Sequence, residues 1–129
     1  MRNAVRVLLV LCGVAVAAHA QTPTRIVSLA PNLTAMVEEL GAAGSLIAVT
    51  PFCDAPENIR RVPGGMQPEA EALLALQPDL VLATSITPSA TLRQLRAQGT
   101  TVLLVTHNPQ LGQRCDKTIQ VVDGLIQTN

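Results

Sequence analysis

The chain has 129 residues, with nine basic and nine acidic side chains and a formal net charge of +0. That balance offers no basic stripe for nucleic acid, and Phe52, the only aromatic residue, gives no platform on which bases could stack. The length suits one small domain with a single core, and no low-complexity run or internal repeat divides it.

Residues 1–20 read as a signal peptide. Arg2 and Arg6 precede an uncharged apolar run from Val7 to Ala18, and Ala18-His19-Ala20 supplies the small-x-small pattern of a signal peptidase site, making Gln21 the first mature residue. The run falls short of the roughly 20 residues that a membrane span needs. Lipidation at Cys12 fits less well, because Leu11 is bulky and the apolar run continues past the cysteine. The expected location is therefore periplasmic. Without Arg2 and Arg6 the remainder is mildly acidic. Cys53 and Cys115 then either pair in an oxidising compartment or stay as two partly buried thiols.

From Arg25 onward strands and helices alternate. "RIVSL" (25–29) is a β-branched strand, and Asn32 is placed to cap a helix in which Leu33, Met36, Val37 and Leu40 share one face. Gly41 and Gly44 end that helix before the strand "LIAVT" (46–50). A polar loop runs from Pro51 to Gly65, and "PEAEALLAL" is a helix with Pro68 in its first turn. The strand "DLVLAT", a helix over "PSATLRQLRAQG" and the strand "TTVLLVT" follow. Such alternation predicts an α/β fold, a Rossmann-like three-layer sandwich with a mostly parallel sheet. The continuous apolar runs "LVLA" and "VLLV" fit strands covered on both faces.

Ligands of open parallel sheets sit at the carboxyl ends of the strands. The loops there carry Pro31 and Asn32, then Phe52, then Ser85, and the Gly64-Gly65 turn is able to approach the same edge. On spacing alone Asn32 is equally a helix cap, the glycines a turn and Phe52 a half-buried plug. Catalysis finds no support: the sequence has no G-x-S-x-G elbow, no C-x-x-C pair and no G-x-x-x-x-G-K-[ST] phosphate loop. One histidine, His107, remains after the signal, which excludes a His-rich metal site. Glu38 and Glu39 are neighbours that diverge on a helix and read as a solvated face, and Glu69 and Glu71 form no better acid–base pair. No cofactor, metal site or catalytic residue is expected.

The stretch from "RIVSLAPNLTAMVEELGA" through "CDAP" and "VPGG" to "EALLALQPDLVLA" resembles the amino-terminal lobe of periplasmic binding proteins for cobalamin, haem and iron–siderophores. The likeness covers about residues 25–99. It implies a non-enzymatic receptor that delivers a metal chelate or corrinoid to an ABC permease in the inner membrane. It further implies that Pro31, Asn32, Phe52, Gly64, Gly65 and Ser85 belong to the ligand side and that Glu71 faces the permease. Two departures stand out: aromatic residues are missing apart from Phe52, and chains of the family are about twice as long.

The ending "TTVLLVTHNPQLGQRCDKTIQVVDGLI" resembles the close of an ABC transporter ATPase of the lipoprotein-release or macrolide-export type. There His107 matches the switch histidine and Asp123-Gly124 a hairpin turn, itself an ordinary type I′ signal. No nucleotide-holding loop precedes this histidine. The organisation expected is a signal peptide (1–20), a binding-protein lobe (21–100) and an ATPase-like tail (101–129) that completes the sheet and adds a β-hairpin to its edge. The function expected is a truncated substrate-binding component of an ABC importer, the alternatives being a non-exported ATPase fragment or an inert α/β module.

Overall fold

The computed structural model describes residues 22–65, 67–123 and 125–127, so the signal peptide and its cleavage site lie outside the described residues. β1 (Ile26–Ser28) leads into α1 (Pro31–Glu39), a 3₁₀ turn (Ala43–Ser45) and β2 (Leu46–Val49). The two-residue β3 (Arg60–Arg61) precedes α2 (Ala70–Leu74), β4 (Leu80–Thr84), α3 (Ser89–Ala97) and β5 (Thr101–Val105). The tail holds α4 (Pro109–Gln113), β6 (Gln120–Val122) and β7 (Leu125–Gln127). The first five strands form one parallel sheet in the order β3-β2-β1-β4-β5. The expected α/β architecture is the one observed.

Side-chain alternation along the strands, broken by a register irregularity between β1 and β2 that places Leu46 and Ala48 on opposite faces, divides the core into two layers. Ile26, Leu46, Val49 and Leu82 pack with Leu33 and Val37 of α1 on one face. Val27, Ala48 and Val81 pack with Leu73 of α2 and Leu95 of α3 on the other. Both faces of the central strands are therefore covered, and this is why their apolar runs are unbroken. Each fully buried aliphatic side chain here contributes about 1.5–3 kcal/mol through removal from water.

Several local expectations are corrected. Asn32 does not cap α1: the N-cap is Ala30, with extended backbone and no side-chain bond, and Pro31 takes the first turn with Asn32 behind it. A proline's fixed φ and missing N–H suit that position. Pro68 lies ahead of α2 rather than in its first turn. Glu69 is the N-cap with extended backbone, and the buried Pro68 carbonyl accepts the Thr91 hydroxyl at 3.1 Å, which anchors α3 instead. Part of the polar loop forms β3, where Arg61 donates to the carbonyls of Ala55 (2.7 Å), Ile59 (2.5 Å) and Pro56 (3.1 Å). The tail hairpin exists, but β6 and β7 pair with each other in a separate antiparallel sheet rather than joining the edge at β5. Cys53 is buried and Cys115 exposed, and both are free thiols.

A polar clasp ties the start of β1 to the loop before β4. The Asp79 carboxylate accepts the N–H groups of Thr24 (2.9 Å) and Arg25 (3.1 Å), while the Arg25 guanidinium donates to the carbonyls of Leu76 (2.6 Å) and Gln77 (3.0 Å). Desolvation pushes the Asp79 carboxyl up, but those backbone N–H groups and the Thr24 hydroxyl together pull it down further, to below its ordinary 3.8. A depressed carboxylate lends stability that is complete above the unfolded value and lost as pH falls through the folded one. Asp79→Asn should therefore lower the melting temperature at neutral pH, with the gap to the parent closing below about pH 4. Thermal unfolding followed from pH 7 to pH 2 checks this, and a gap that stays constant would refute it.

Candidate functional site

All five strands of the main sheet run parallel, so their carboxyl ends share one edge. Along it, in sheet order, come Gly64 and Gly65 after β3, Phe52 after β2, Pro31 and Asn32 after β1, and Ser85 after β4. The structure thus brings the six residues expected on the ligand side to one rim, five of them exposed and Gly65 half-buried. Glu71 is separate from them, exposed in the first turn of α2.

Buried hydroxyls set the backbone at the rim. The Thr34 hydroxyl donates to Ser28 Oγ at 2.8 Å, and Ser28 Oγ donates to the Ala30 carbonyl at 3.1 Å, holding the turn from β1 into α1. Thr50 Oγ1 lies 3.2 Å from Cys53 Sγ, and the Cys53 N–H donates to the Thr50 carbonyl at 3.1 Å. Cys53 points inward and Phe52, at 63% exposure, points outward. Its ring does not float free. A Cβ built on Gly65 would stand 3.5 Å from Phe52 Cε2, so the ring lies against the glycine backbone. Gly64 and Gly65 carry φ values of +95° and +61°, and this left-handed pair folds the β3 loop back beneath the ring.

Two further features have physical consequences. α1 and α3 both begin at this rim, and neither has a side-chain cap on its first-turn N–H groups, so two positive helix ends face any ligand placed there. At Ser85 is an open hollow of about 420 Å³, whose lining includes Leu92, Leu104 and Leu111 together with Gln67, Ser85 and Thr87. Ile86 follows Ser85 at the same strand end and stands as an exposed apolar side chain on the rim, a lone aliphatic residue within the polar run "TSITPS" and not one of the six expected there. Among the described residues no three His, Cys, Asp or Glu side chains are grouped to hold a metal. His107 is exposed in the loop after β5.

The main sheet gathers its loops at a single rim, with an outward aromatic ring and two uncapped helix starts, and this is the edge at which open parallel sheets take ligands. The chain belongs to the periplasmic binding protein family, whose model matches residues 26–124. It is 34% identical over 107 residues to the vitamin B12-binding protein of Yersinia pestis, covering 78% of this chain and 38% of that relative. The crystal structure of the periplasmic haem-binding protein HutB of Vibrio cholerae matches with a TM-score of 0.59 and 32% identity, over 64% of this chain and 33% of that one. A shorter match, 47% identical over 64 residues, links 41% of the chain to 28% of the lipoprotein-releasing system ATP-binding protein LolD 1 of Rhodopseudomonas palustris. The chain thus spans between 28% and 38% of the length of these proteins.

Proposed function

We propose that this chain is a periplasmic solute-binding component that presents one wall of a cleft to a corrinoid, haem or iron–siderophore and serves an ABC importer. The observation that carries the reading is the convergence of Pro31, Asn32, Phe52, Gly64, Gly65 and Ser85 on the carboxyl edge of the sheet, in a chain of this family. Phe52 and Ile86 offer apolar contact to a macrocycle or chelate. The starts of α1 and α3 receive its carboxylates or phosphate. No proton or electron transfer is asked of any residue, so the protein binds and hands over without catalysis. Residues 1–20 direct export and are cleaved from the mature chain, and Glu71 meets cationic side chains of the permease.

The likeness to an ATP-binding protein favours a second reading of the tail, with a seam near residue 100 and an ATPase-like ending. Under this reading His107 has no phosphate to sense, because no phosphate loop precedes it in the sequence.

An amide-resolved NMR titration with cyanocobalamin, haem, ferric siderophores and ATP tests both readings. Saturable shifts at Asn32, Phe52, Gly65 and Ser85 with one chelate, and none with ATP, are expected. Shifts confined to residues around His107 on adding ATP would overturn the receptor reading, and silence toward the whole panel would leave an inert module. With a cognate permease, Glu71→Arg should slow docking, more so at low salt, while leaving the ligand shifts in place.

A further inference from the structure

β5 closes the sheet order on one side, and among the described residues its main chain bonds only to β4. An edge strand of this kind leaves a row of outward N–H and C=O groups that water solvates and that form a template for another extended strand. Natural edges are blunted by lysine, proline, a bulge or a covering segment. Here "TVLLV" carries no charge and no proline, and its five residues pair with β4 in unbroken register. On the α1 side of the sheet Leu103 and Val105 remain 50% and 41% exposed, while Leu82, the β4 partner of Leu103, is buried at 6%. Among the described residues the chain's own β6 and β7 do not fill the edge, since they form a sheet separate from β5.

We propose that the outer edge of β5 is a self-pairing surface through which two copies of this chain join their sheets antiparallel about Leu103. The strand suits itself as a partner. Pairing about Leu103 opposes Leu103 to Leu103, Val102 to Leu104 and Thr101 to Val105, so every cross-strand pair is apolar or threonine–valine. A two-fold axis normal to the sheet reverses the strand yet keeps each side chain on its own face. The exposed Leu103 and Val105 of one copy then extend the apolar surface of the other. No like charges oppose the contact. Five paired residues bury less than the ~1,000 Å² of a stable interface, so the dimer is of the weak, concentration-dependent class. The reversal also sends the two ligand rims to opposite ends of a ten-stranded sheet. Pairing therefore builds no shared cleft, and the proposal stands or falls independently of ligand binding.

Sedimentation equilibrium over roughly 10–500 µM spans this weak class and tests the contact. A monomer–dimer equilibrium is expected, weakened at least tenfold by Leu103→Lys, which sets two ammonium groups side by side, and unchanged by Arg93→Glu on the exposed side of α3. Far-ultraviolet circular dichroism confirms that the lysine variant folds. As a second measure, Leu103→Cys in a Cys115→Ser background should form a disulfide-linked dimer under mild oxidation, because opposed residues of paired strands lie within disulfide reach. Arg93→Cys in the same background should not. A chain monomeric throughout the range would overturn the proposal, as would a dimer indifferent to Leu103→Lys, which would place the contact elsewhere, for example on the hairpin. A monomer whose β5 amides resist hydrogen exchange would show that the chain covers the edge itself.

Discussion

Leu95→Ala should lower the melting temperature by about 12–24 °C, from a loss of about 3 kcal/mol at roughly 4–8 °C per kcal/mol in a domain of this size. Leu95 is completely buried, and Thr91 is the only other buried residue of α3. This leucine is therefore the main apolar plug that holds α3 to the sheet, packed in the layer with Val27, Leu73, Val81 and Ala83. Truncation removes the transfer free energy of three carbon atoms and leaves a cavity lined by a rigid strand, which relaxes poorly. Total stability of a small domain is about 5–15 kcal/mol, so the loss is a large share of it. Arg93→Ala, on the exposed side of the same helix, is the control and should stay within about 0.5 kcal/mol of the parent. The two variants are compared by thermal unfolding at 222 nm. A shift below about 4 °C for Leu95→Ala would mean that α3 is held by something other than this packing.

The same layering explains how much of the fold was legible in the sequence. The strand β4 is buried on both faces and announces itself as the unbroken apolar run "LVLA", whereas "VLLV" of β5 reads the same way yet lies at the sheet edge with Leu103 and Val105 exposed on one face. Gly41 and Gly99, both at positive φ, mark the ends of α1 and α3 where the sequence placed them. The strand β3 carried no such signal. Its two arginines are held by main-chain pairing to β2 and by bonds from Arg61 to three loop carbonyls, none of which shows as hydrophobic patterning. Pro68 misled for a similar reason. Its carbonyl is taken by Thr91, 23 positions away, and a long-range bond overrides a local first-turn preference. The hairpin shows the limit from the other side. Its turn was legible, and Asp123 adopts φ +51°, but short strands of this sort carry no signal for which edge they join.

The candidate rim was legible through topology, because a parallel sheet sends every strand's carboxyl end to one edge. What the sequence did not show is the seating of Phe52 on Gly65, 13 positions apart and brought together by two separate turns. Nor did it mark Asn32 as a helical residue facing solvent, since an asparagine after Ala-Pro reads equally as a cap. The tail was the hardest part to place. β5 behaves as an ordinary member of the binding-lobe sheet, and α4 and the hairpin follow it with every described side chain of β6 and β7 exposed. One link back to the lobe is the Arg96–Asp116 ion pair, and its exposed position limits it to about 0–1 kcal/mol.

Gly64→Val joins stability to the rim. At φ +95° a β-branched side chain is strained wherever it points. Here it also has no room: a Cβ would stand 3.0 Å from Pro68 Cα and 3.1 Å from the Gln67 carbonyl oxygen, both main-chain atoms that cannot swing away. The turn is closed by the Gln67 N–H donating to the Gly64 carbonyl at 3.1 Å, so relief requires opening that bond. Backbone strain of about 1–3 kcal/mol and the displaced turn together should cost about 3 kcal/mol, or roughly 12–24 °C in melting temperature. Gly65→Ala is the telling comparison. Its φ of +61° lies in the left-handed region that other residues enter at about 1–2 kcal/mol, and its Cβ would meet Phe52 Cε2 at an ordinary 3.5 Å. The two variants should therefore separate in melting temperature, with Gly64→Val the lower. They should separate at the rim as well: valine at 64 shifts the loop on which the Phe52 ring rests, so the ring-proton resonances of Phe52 move and the chelate-induced shifts at Phe52 and Gly65 shrink, whereas those at Ser85, on the far side of β1, persist. If Gly64→Val melts with the parent and leaves the Phe52 ring where it was, the left-handed turn after β3 is not what seats the ring.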